Sequence, residues 1–299
     1  MTARSTLSHV AAFALLASAC IPRTSARAQS TDSMLVSPSW LASRLTEPKL
    51  VVIHIVGQPK DYDGGHIPGA RKVLFSQIAG EHNGLSVELH PVPQLDSVLE
   101  AAGVSNDSRI VIYGNPVAVG RLYMTLDYLG LAPRTSVLNG GLGGWKSDGH
   151  ELSTEVPAVA RGTITPHLRS VVVDAQYVNA NLRAPKITIL DARDPEFYNA
   201  AHAMDTMPRQ GHVAGALNIP YTSVLNENGT FKSKDALAEM FKTAGVKPGS
   251  QVVTYCHIGM QGSLLYLAAK YIGYDARLYD GSYEDWRKRS ELPIVTPSK

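Results

Sequence analysis

The chain has 299 residues and a formal net charge of +2 at pH 7, with 44% hydrophobic and 18% charged residues. This length and composition predict a soluble globular protein of about two domains, each ~100–150 residues long. The net charge is too small for a nucleic-acid-binding surface or an anionic-membrane-binding surface, so we expect no nucleic acid as a partner. The one basic cluster, Arg-Lys-Arg at 287–289, is interpreted as a solvated helix end.

The first 28 residues predict an export signal. Arg4 supplies a positive start, residues 10–19 form an apolar stretch too short to span a bilayer, and Ala26-Arg27-Ala28 provides a small-x-small cleavage site. After cleavage no transmembrane span remains, and we expect the mature protein to be exported to the periplasm or secreted. Lipoprotein processing at Cys20 and a buried N-terminal helix are the alternatives.

Export also bears on the cysteine chemistry. Of the two cysteines, Cys20 lies in the export segment, so the mature chain keeps only Cys256 and cannot form an internal disulfide. A lone cysteine in an oxidising compartment is either buried and inert or used in chemistry, and its surroundings decide which.

The chain contains an internal repeat. Four sequence blocks occur in the same order in both halves, about 140 residues apart. The paired blocks are 102–104 and 244–246, the Gly-His blocks 65–70 and 211–216, 128–130 and 271–273, and 139–145 and 279–286. Repetition at this period indicates a duplicated domain and not a solenoid.

Each half alternates strand and helix patterns. Short apolar runs predict buried parallel strands at 50–56, 110–113, 187–192 and 251–255. Helical patterns lie between them at 92–102, 235–244 and 262–272. The predicted fold class is therefore α/β, with each half forming a mainly parallel sheet flanked by helices.

The domain boundaries follow from these patterns. We expect domains at 34–148 and 171–299, joined by a proline-containing linker at 149–170 that has few large apolar residues. Residues 199–210, rich in Ala, Met and His, predict a loop inserted only in the second domain.

Cys256 stands at a strand–loop–helix junction. It follows the apolar run 252–255, and the loop 257–262 separates it from a helix that is expected to begin at Ser263. The carboxyl end of a parallel strand is the usual ligand edge of such a sheet, and glycine-rich loops that lead into helices point backbone N–H groups at anions. Comparable settings lower a thiol pKa to about 3.5–7.5. We therefore predict a nucleophilic thiolate at Cys256 that holds a persulfide, the alternative being a buried, inert cysteine.

The chain resembles the tandem-domain rhodaneses, a family that includes thiosulfate and 3-mercaptopyruvate sulfurtransferases. The resemblance spans about residues 34–296. It is carried by the Cys256 loop, the two Gly-His blocks, Leu190-Asp191-Ala192-Arg193, and Asp280-Gly281 through Trp286. It implies two rhodanese-like domains of which only the second is catalytic.

The first domain lacks the matching chemistry. Gly114 stands at the position of Cys256. His54 and Val56 stand at the positions of Asp191 and Arg193. We expect this domain to shape one wall of the cleft without reacting.

Candidate site residues surround Cys256. We expect the donor to bind at Arg193 and at the loop residues His257, Ile258, Gly259, Met260, Gln261 and Gly262, with Asp191 positioning the loop. Arg193 has an alternative role in an ion pair with Asp191 or Glu196. His257 either assists the thiolate or faces solvent. The histidines show no metal-binding spacing, so we expect no metal and no other cofactor.

The implied reaction moves sulfane sulfur from a small donor to cyanide or a thiol, with a protein thiol as a further candidate acceptor. Thiosulfate enzymes of the family commonly have a basic residue where this chain has Ile258, and thiosulfate and 3-mercaptopyruvate enzymes alike commonly have a hydroxyl residue where it has Gln261, so the loop matches neither pattern. Phe197 replaces a second arginine. Because Arg193 is then the main candidate cation, the sequence favours 3-mercaptopyruvate, a monocarboxylate, over thiosulfate.

Two other functions compete with this one. A cysteine phosphatase would grip phosphate with a loop arginine, but no arginine occurs between Cys256 and Arg277. A non-catalytic sulfur-carrier or binding protein is the second alternative, and the intact Cys256 loop argues against binding alone.

Overall fold

The computed structural model of the protein describes Met1, residues 34–202 and residues 209–296. The expected export segment therefore lies outside the described residues apart from Met1, as do residues 203–208 of the expected insertion.

The first half of the chain folds into strands and helices that alternate. Within residues 34–148 the strands are β1 (Leu35–Val36), β2 (Leu50–Val56), β3 (Arg71–Leu74), β4 (Ala79–His82), β5 (Leu85–Leu89), β6 (Arg109–Gly114) and β7 (Thr135–Leu138). The helices there are α1 (Pro38–Ala42), α2 (Lys60–Asp63), α3 (Val92–Ala101), α4 (Pro116–Tyr128) and α5 (Gly141–Ser147), with 3-10 turns at Phe75–Gln77 and Ala132–Arg134.

The second half repeats this alternation. Its described strands are β8 (Val172–Val173), β9 (Ile187–Asp191), β10 (His212–Val213), β11 (Leu217–Asn218), β12 (Gln251–Tyr255), β13 (Asp275–Tyr279) and β14 (Ile294–Val295). Its described helices are α6 (Ala175–Ala180), α7 (Pro195–Tyr198), α8 (Lys234–Thr243), α9 (Met260–Tyr271) and α10 (Ser282–Lys288), with a 3-10 turn at Tyr221–Val224.

The two main sheets share one topology. Their strand orders are β1-β7-β6-β2-β3 and β8-β13-β12-β9-β11, and every neighbouring pair is parallel. All residues of β2 are buried, which accounts for its continuous apolar sequence. The predicted α/β fold class, with parallel sheets flanked by helices in both halves, is confirmed.

Local sequence signals start the longer helices. Asn115 caps α4, because its side-chain oxygen accepts a hydrogen bond from Val117 N at 3.0 Å, and Pro116 occupies the first helical turn. Ser233 caps α8 in the same way, accepting from Ala236 N at 3.2 Å.

Helices α4 and α9 pack against each other between the two sheets. Residues 118–127 of α4 and 262–269 of α9 are buried. Gly120 allows the close approach, since a Cβ atom placed there would lie 2.7 Å from the backbone nitrogen of Leu264. The Tyr266 hydroxyl donates to the Asp127 carboxylate across the interface at 2.5 Å. The two halves are therefore joined by both apolar and polar contacts.

Strands β4 and β5 form a hairpin that was not among the predicted elements. Its Asn83-Gly84 turn has positive φ at both residues, 52° and 73°, as a tight hairpin turn requires. The hairpin reaches the second half: Lys288 Nζ donates to Gly84 O at 2.6 Å, and Ser86 N donates to Glu284 Oε2 at 2.9 Å.

The predicted linker runs along the surface of the first half. Ser153 pairs with His66 in an antiparallel bridge. Further along, Ile164 N donates to the Glu100 carboxylate at 3.0 Å, and Arg161 pairs with the same carboxylate at 2.8 Å.

Candidate active site

Cys256 lies directly after β12, the central strand of the second sheet. Strand β12 pairs with β9 on one side and with β13 on the other, so the loop that follows it lies at the carboxyl edge of the sheet. Gly259 has a left-handed φ of 82° immediately before α9, where it turns the loop into the helix.

The loop wraps its backbone around the Cys256 sulfur. The residue is fully buried, and the N–H groups of Gly262, Ile258 and Gly259 donate hydrogen bonds to its sulfur. Burial raises the pKa of the Cys256 thiol, whereas these hydrogen bonds act in the opposite direction. The net direction is upward, unlike the lowered pKa expected from the loop alone, because the sulfur is removed from water.

A turn after β13 supports the cysteine loop. Ser282 Oγ accepts a hydrogen bond from Cys256 N at 3.2 Å. The backbone N–H of Tyr283 donates to the Cys256 carbonyl at 2.9 Å, and the N–H of Glu284 donates to the next carbonyl, also at 2.9 Å. Ser282 has a φ of 53°, which is unusual for a non-glycine residue. The conformation of this turn and that of the cysteine loop are therefore linked.

Asp191 and Arg193 form a buried ion pair beside the loop. Arg193 Nε lies 2.9 Å from Asp191 Oδ1 and 3.0 Å from Oδ2, and Arg193 Nη2 also donates to Gly211 O at 2.7 Å. The Tyr255 hydroxyl donates to Asp191 Oδ2 at 2.6 Å. The guanidinium carbon lies 4.1 Å from the centre of the Tyr283 ring. This network joins the ends of β9 and β12 to α10.

Arg193 is engaged by protein acceptors. Its side chain is 2% exposed, and both Nε and Nη2 donate to protein oxygens. Burial opposes the charged form, but the Asp191 carboxylate holds the pKa of Arg193 above its ordinary value. Of the two roles that the sequence left open, the ion pair with Asp191 is present in the structure. Donor binding by Arg193 stays a prediction.

His257 packs against an aromatic side chain. Its ring centre lies 4.7 Å from that of Phe197 in an edge-to-face arrangement. Burial, together with the positive charges of Arg193 and Arg287, lowers the pKa of His257 to about 4. The imidazole is therefore neutral near pH 7 and offers the thiolate no positive charge there.

The other predicted loop residues differ in exposure. Gly259 and Gly262 are buried and contribute backbone N–H groups, whereas Ile258, Met260 and Gln261 are half-buried. Gln261 Oε1 is buried and has no hydrogen-bond partner among the described residues. The half-buried side chains thus form the outer surface of the loop.

Sequence reasoning missed two cations, one near the loop and one beside Tyr283. Arg287, which was assigned to a solvated helix end, is half-buried on α10, and its charge contributes to the low pKa of His257. Arg209 donates to Leu292 O at 2.6 Å, and its charge acts on the Tyr283 hydroxyl. For Arg287 the available signal was its i, i+4 spacing from Tyr283, because this spacing places both side chains on one face of α10.

A third missed contact crosses the interface between the halves. Arg121 on α4 and Asp280 at the end of β13 form an ion pair in which the side chains are 0% and 4% exposed. Arg121 Nη2 lies 3.1 Å from Asp280 Oδ2, and Nη1 donates to Oδ1. The repeat block 279–286 includes Asp280, but no local pattern indicates that its carboxylate meets an arginine of the other half.

The equivalent position in the first half has no room for a nucleophile. Gly114 has a φ of 150°, and a Cβ atom placed there would lie 2.2 Å from Ile55 O. A cavity of about 230 Å³ beside it is lined by glycines and apolar side chains. His54, at the position of Asp191, stacks on Tyr113, and burial lowers its pKa to about 4.

Two negative findings apply to residues 34–202 and 209–296. There, no helix combines the length and apolar character needed to cross a membrane. No three His, Cys, Asp or Glu side chains in that part of the chain are grouped as metal ligands would be.

Comparison with known proteins identifies the family. The sequence model of one protein family, described as a rhodanese-like domain, matches residues 37–148 of the chain and again residues 174–289. The chain belongs to the rhodanese family. This rhodanese is 29% identical to the sulfur carrier protein TtuD of Thermus thermophilus, a match that covers 88% of the chain and 96% of that protein. It is also 29% identical to the thiosulfate sulfurtransferase of Azotobacter vinelandii, over 87% of the chain and 96% of that protein.

A solved structure shares the fold. The crystal structure of the anaerobic ergothioneine biosynthesis enzyme from Chlorobium limicola matches with a TM-score of 0.80 and 20% identity, covering 91% of this rhodanese and 72% of that chain. The family that the sequence suggested is confirmed, and the relatives support a sulfurtransferase as its activity.

Proposed function

We propose that this rhodanese transfers sulfane sulfur through a persulfide on Cys256. In the first step the thiolate attacks the outer sulfur of the donor, the donor's bond to that sulfur breaks, and the leaving group takes the electron pair. In the second step cyanide or a thiol attacks the terminal sulfur, the S–S bond breaks, and the Cys256 thiolate is restored. Neither step requires a cofactor.

The observation that carries this proposal is the set of N–H groups around the Cys256 sulfur. Donors from Ile258, Gly259 and Gly262 converge on one atom at the start of a helix. A persulfide places its terminal sulfur about 2 Å further from the strand end, where the same donors and the helix N-terminus stabilise negative charge. This arrangement therefore suits a persulfide anion, whose charge lies on that outer sulfur.

Asp191 and Arg193 act in this scheme as positioning residues. Their ion pair fixes the end of β9, and the Tyr255 hydroxyl links it to the residue that precedes Cys256. A guanidinium that is already bound to a carboxylate is a weaker site for a second anion, so Arg193 gives less reason to favour 3-mercaptopyruvate as the donor.

For the donor we propose thiosulfate. Arg287 adds positive charge beside His257 of the loop, and Arg209 adds positive charge beside Tyr283, neither of which sequence reasoning counted. A dianion gains more from that field than a monocarboxylate does. Relatives that carry the name thiosulfate sulfurtransferase point the same way. 3-Mercaptopyruvate, which the sequence favoured, is the competing donor.

Mass spectrometry tests the persulfide. Reduced protein incubated with thiosulfate should gain the mass of one sulfur atom on the peptide that holds Cys256, and cyanide should remove it. Cys256→Ser should show neither the added mass nor turnover while keeping the wild-type unfolding midpoint. Turnover that survives in Cys256→Ser would overturn the proposal.

Donor specificity has its own experiment. We expect kcat/KM with cyanide as acceptor to be higher for thiosulfate than for 3-mercaptopyruvate. Arg287→Gln should reduce the thiosulfate value by about 3- to 10-fold and the other value less. Arg289→Gln is the matched control, because Arg289 is exposed and pairs with Asp285 one helical turn away. A preference for 3-mercaptopyruvate in the wild type would return the donor to the one that the sequence favoured.

A sulfur-carrier role is the second candidate. It is favoured by the relative named sulfur carrier protein TtuD. A carrier would form the Cys256 persulfide but pass it slowly to cyanide and quickly to a protein thiol. Single-turnover discharge of the persulfide by cyanide, compared with discharge by a protein thiol, separates the two roles.

We also propose that residues 1–28 direct export to the periplasm or outside the cell, on the basis of their sequence alone. N-terminal sequencing of the protein recovered from cell fractions would test this. A start at Gln29 in the exported fraction is expected, and an intact N-terminus in the cytoplasm would contradict it.

A further inference from the structure

We infer that Arg121 of the first domain positions the cysteine loop of the second domain through Asp280. The inference rests on the proposed role of Cys256. Arg121 is completely buried, and its two terminal nitrogens donate to the two carboxylate oxygens of Asp280. A fork of this kind fixes direction as well as distance.

The ion pair lies directly against the cysteine loop at Gly259. A Cβ atom placed on Gly259 would be 2.7 Å from Asp280 O, 2.9 Å from Asp280 Oδ1 and 3.1 Å from Arg121 Nη1. The glycine backbone is therefore packed on both partners, and its N–H is one of the donors to the Cys256 sulfur. A displacement of the ion pair would displace that donor.

The hairpin of the first domain holds the same turn from another side. Leu89 N donates to Asp280 Oδ2 at 2.9 Å, so the carboxylate has donors from both α4 and β5. Ser86 binds Glu284 through its N and its Oγ, at 2.9 and 3.0 Å. Glu284 N in turn donates to the carbonyl next to Cys256. Two elements of the domain without a nucleophile thus hold the turn that supports the nucleophile.

The charge of Arg121 matters because it compensates the buried Asp280 carboxylate. The neighbouring Glu88 adds little charge near pH 7, because burial, together with the Asp280 charge, raises the pKa of Glu88 to about 8. Without Arg121, the Asp280 carboxylate would face the loop uncompensated. Negative charge near a thiol disfavours its thiolate.

Alkylation of Cys256 by iodoacetamide, followed as a function of pH, tests the inference. In Arg121→Met we expect the pH midpoint to rise by about one unit and the rate at pH 7 to fall about tenfold. The pH midpoint of Arg121→Lys, which keeps the charge but loses the two parallel hydrogen bonds, should lie between those of wild type and Arg121→Met. The control is Tyr266→Phe, which removes another buried contact between the domains and should leave the midpoint unchanged.

A double variant guards against loss of folding. Removing one partner of a buried pair is strongly destabilising, whereas Arg121→Met/Asp280→Asn removes both charges. In this variant kcat for sulfur transfer should stay at least about fivefold below wild type, because the loop loses its support. The inference would be overturned if the Arg121 variants had the same pH midpoints and kcat values as Tyr266→Phe. Failure of the wild type to form a persulfide would instead overturn the proposed function, since alkylation reports on the loop in either case.

Discussion

Asp191→Asn should destabilise the protein strongly, because it removes one charge from a buried ion pair. The Asp191 carboxylate accepts hydrogen bonds from Arg193 N at 3.0 Å, from Arg193 Nε at 2.9 and 3.0 Å, and from the Tyr255 hydroxyl at 2.6 Å. An amide keeps one acceptor oxygen and turns an NH₂ group toward donors. The Arg193 guanidinium, 2% exposed, is then left without its counter-charge.

The expected cost follows from this burial. Removing one partner of a buried pair costs about 3–5 kcal/mol, out of the roughly 5–15 kcal/mol by which a typical domain is stable. At a urea dependence of about 1–3 kcal/mol per molar, the unfolding midpoint should fall by about 1–5 M. Burial of both partners places the effect well above that of a surface pair.

Urea unfolding followed by tryptophan fluorescence is the assay. Glu239→Gln is the matched control: its partner Lys242 and Glu239 itself are 72% and 65% exposed, so the change should be under about 0.5 kcal/mol. Asp191→Asn/Arg193→Met, which removes both charges, should recover most of the loss. A cost below about 1 kcal/mol for Asp191→Asn would refute the reasoning.

Two further predictions concern the first domain. The pKa of His54 is about 4 in the folded protein and 6.5 in the reference state, so the unfolded chain binds the extra proton between these two pH values. The contribution of His54 to stability is therefore complete above pH 6.5 and is lost as the pH falls toward 4. In His54→Phe, urea midpoints at pH 5 and pH 7 should therefore lie closer together than in wild type, and an unchanged difference would contradict this. Gly114→Cys should not create a second active site but should cost about 2–4 kcal/mol in urea unfolding, because its Cβ meets Ile55 O at 2.2 Å. Gly114→Ala should cost about the same, and a neutral effect would show that β6 can move.

The repeat and the apolar runs predicted most of the fold. The runs at 187–192 and 251–255 correspond to β9 and β12, which lie side by side in the second sheet. Their spacing in the sequence also places Cys256 at the carboxyl edge. These features depend on local pattern and on the tendency of consecutive strands and helices to pack together, both of which a sequence shows.

Other features depend on which distant side chains meet. Arg121 and Asp280 are 159 positions apart, and nothing local to either predicts the other. The sequence leaves the role of Arg193 open, because several acceptors lie within reach of one charge until the fold selects one. The raised pKa of Cys256 reflects burial by the whole structure, which the composition of one loop does not show. The export segment lies outside the described residues and stays a prediction.

The burial of α9 limits how the catalytic half can be used. Residues 262–269 of this helix are buried around its whole circumference, by its own sheet on one side and by α4 on the other. Cutting the chain at the linker would remove the covalent connection to α4 and so expose that apolar surface to water whenever the two halves separate. An engineer who wishes to fuse this sulfur-handling unit to another enzyme must therefore carry both halves, since the half with the cysteine is not a portable module.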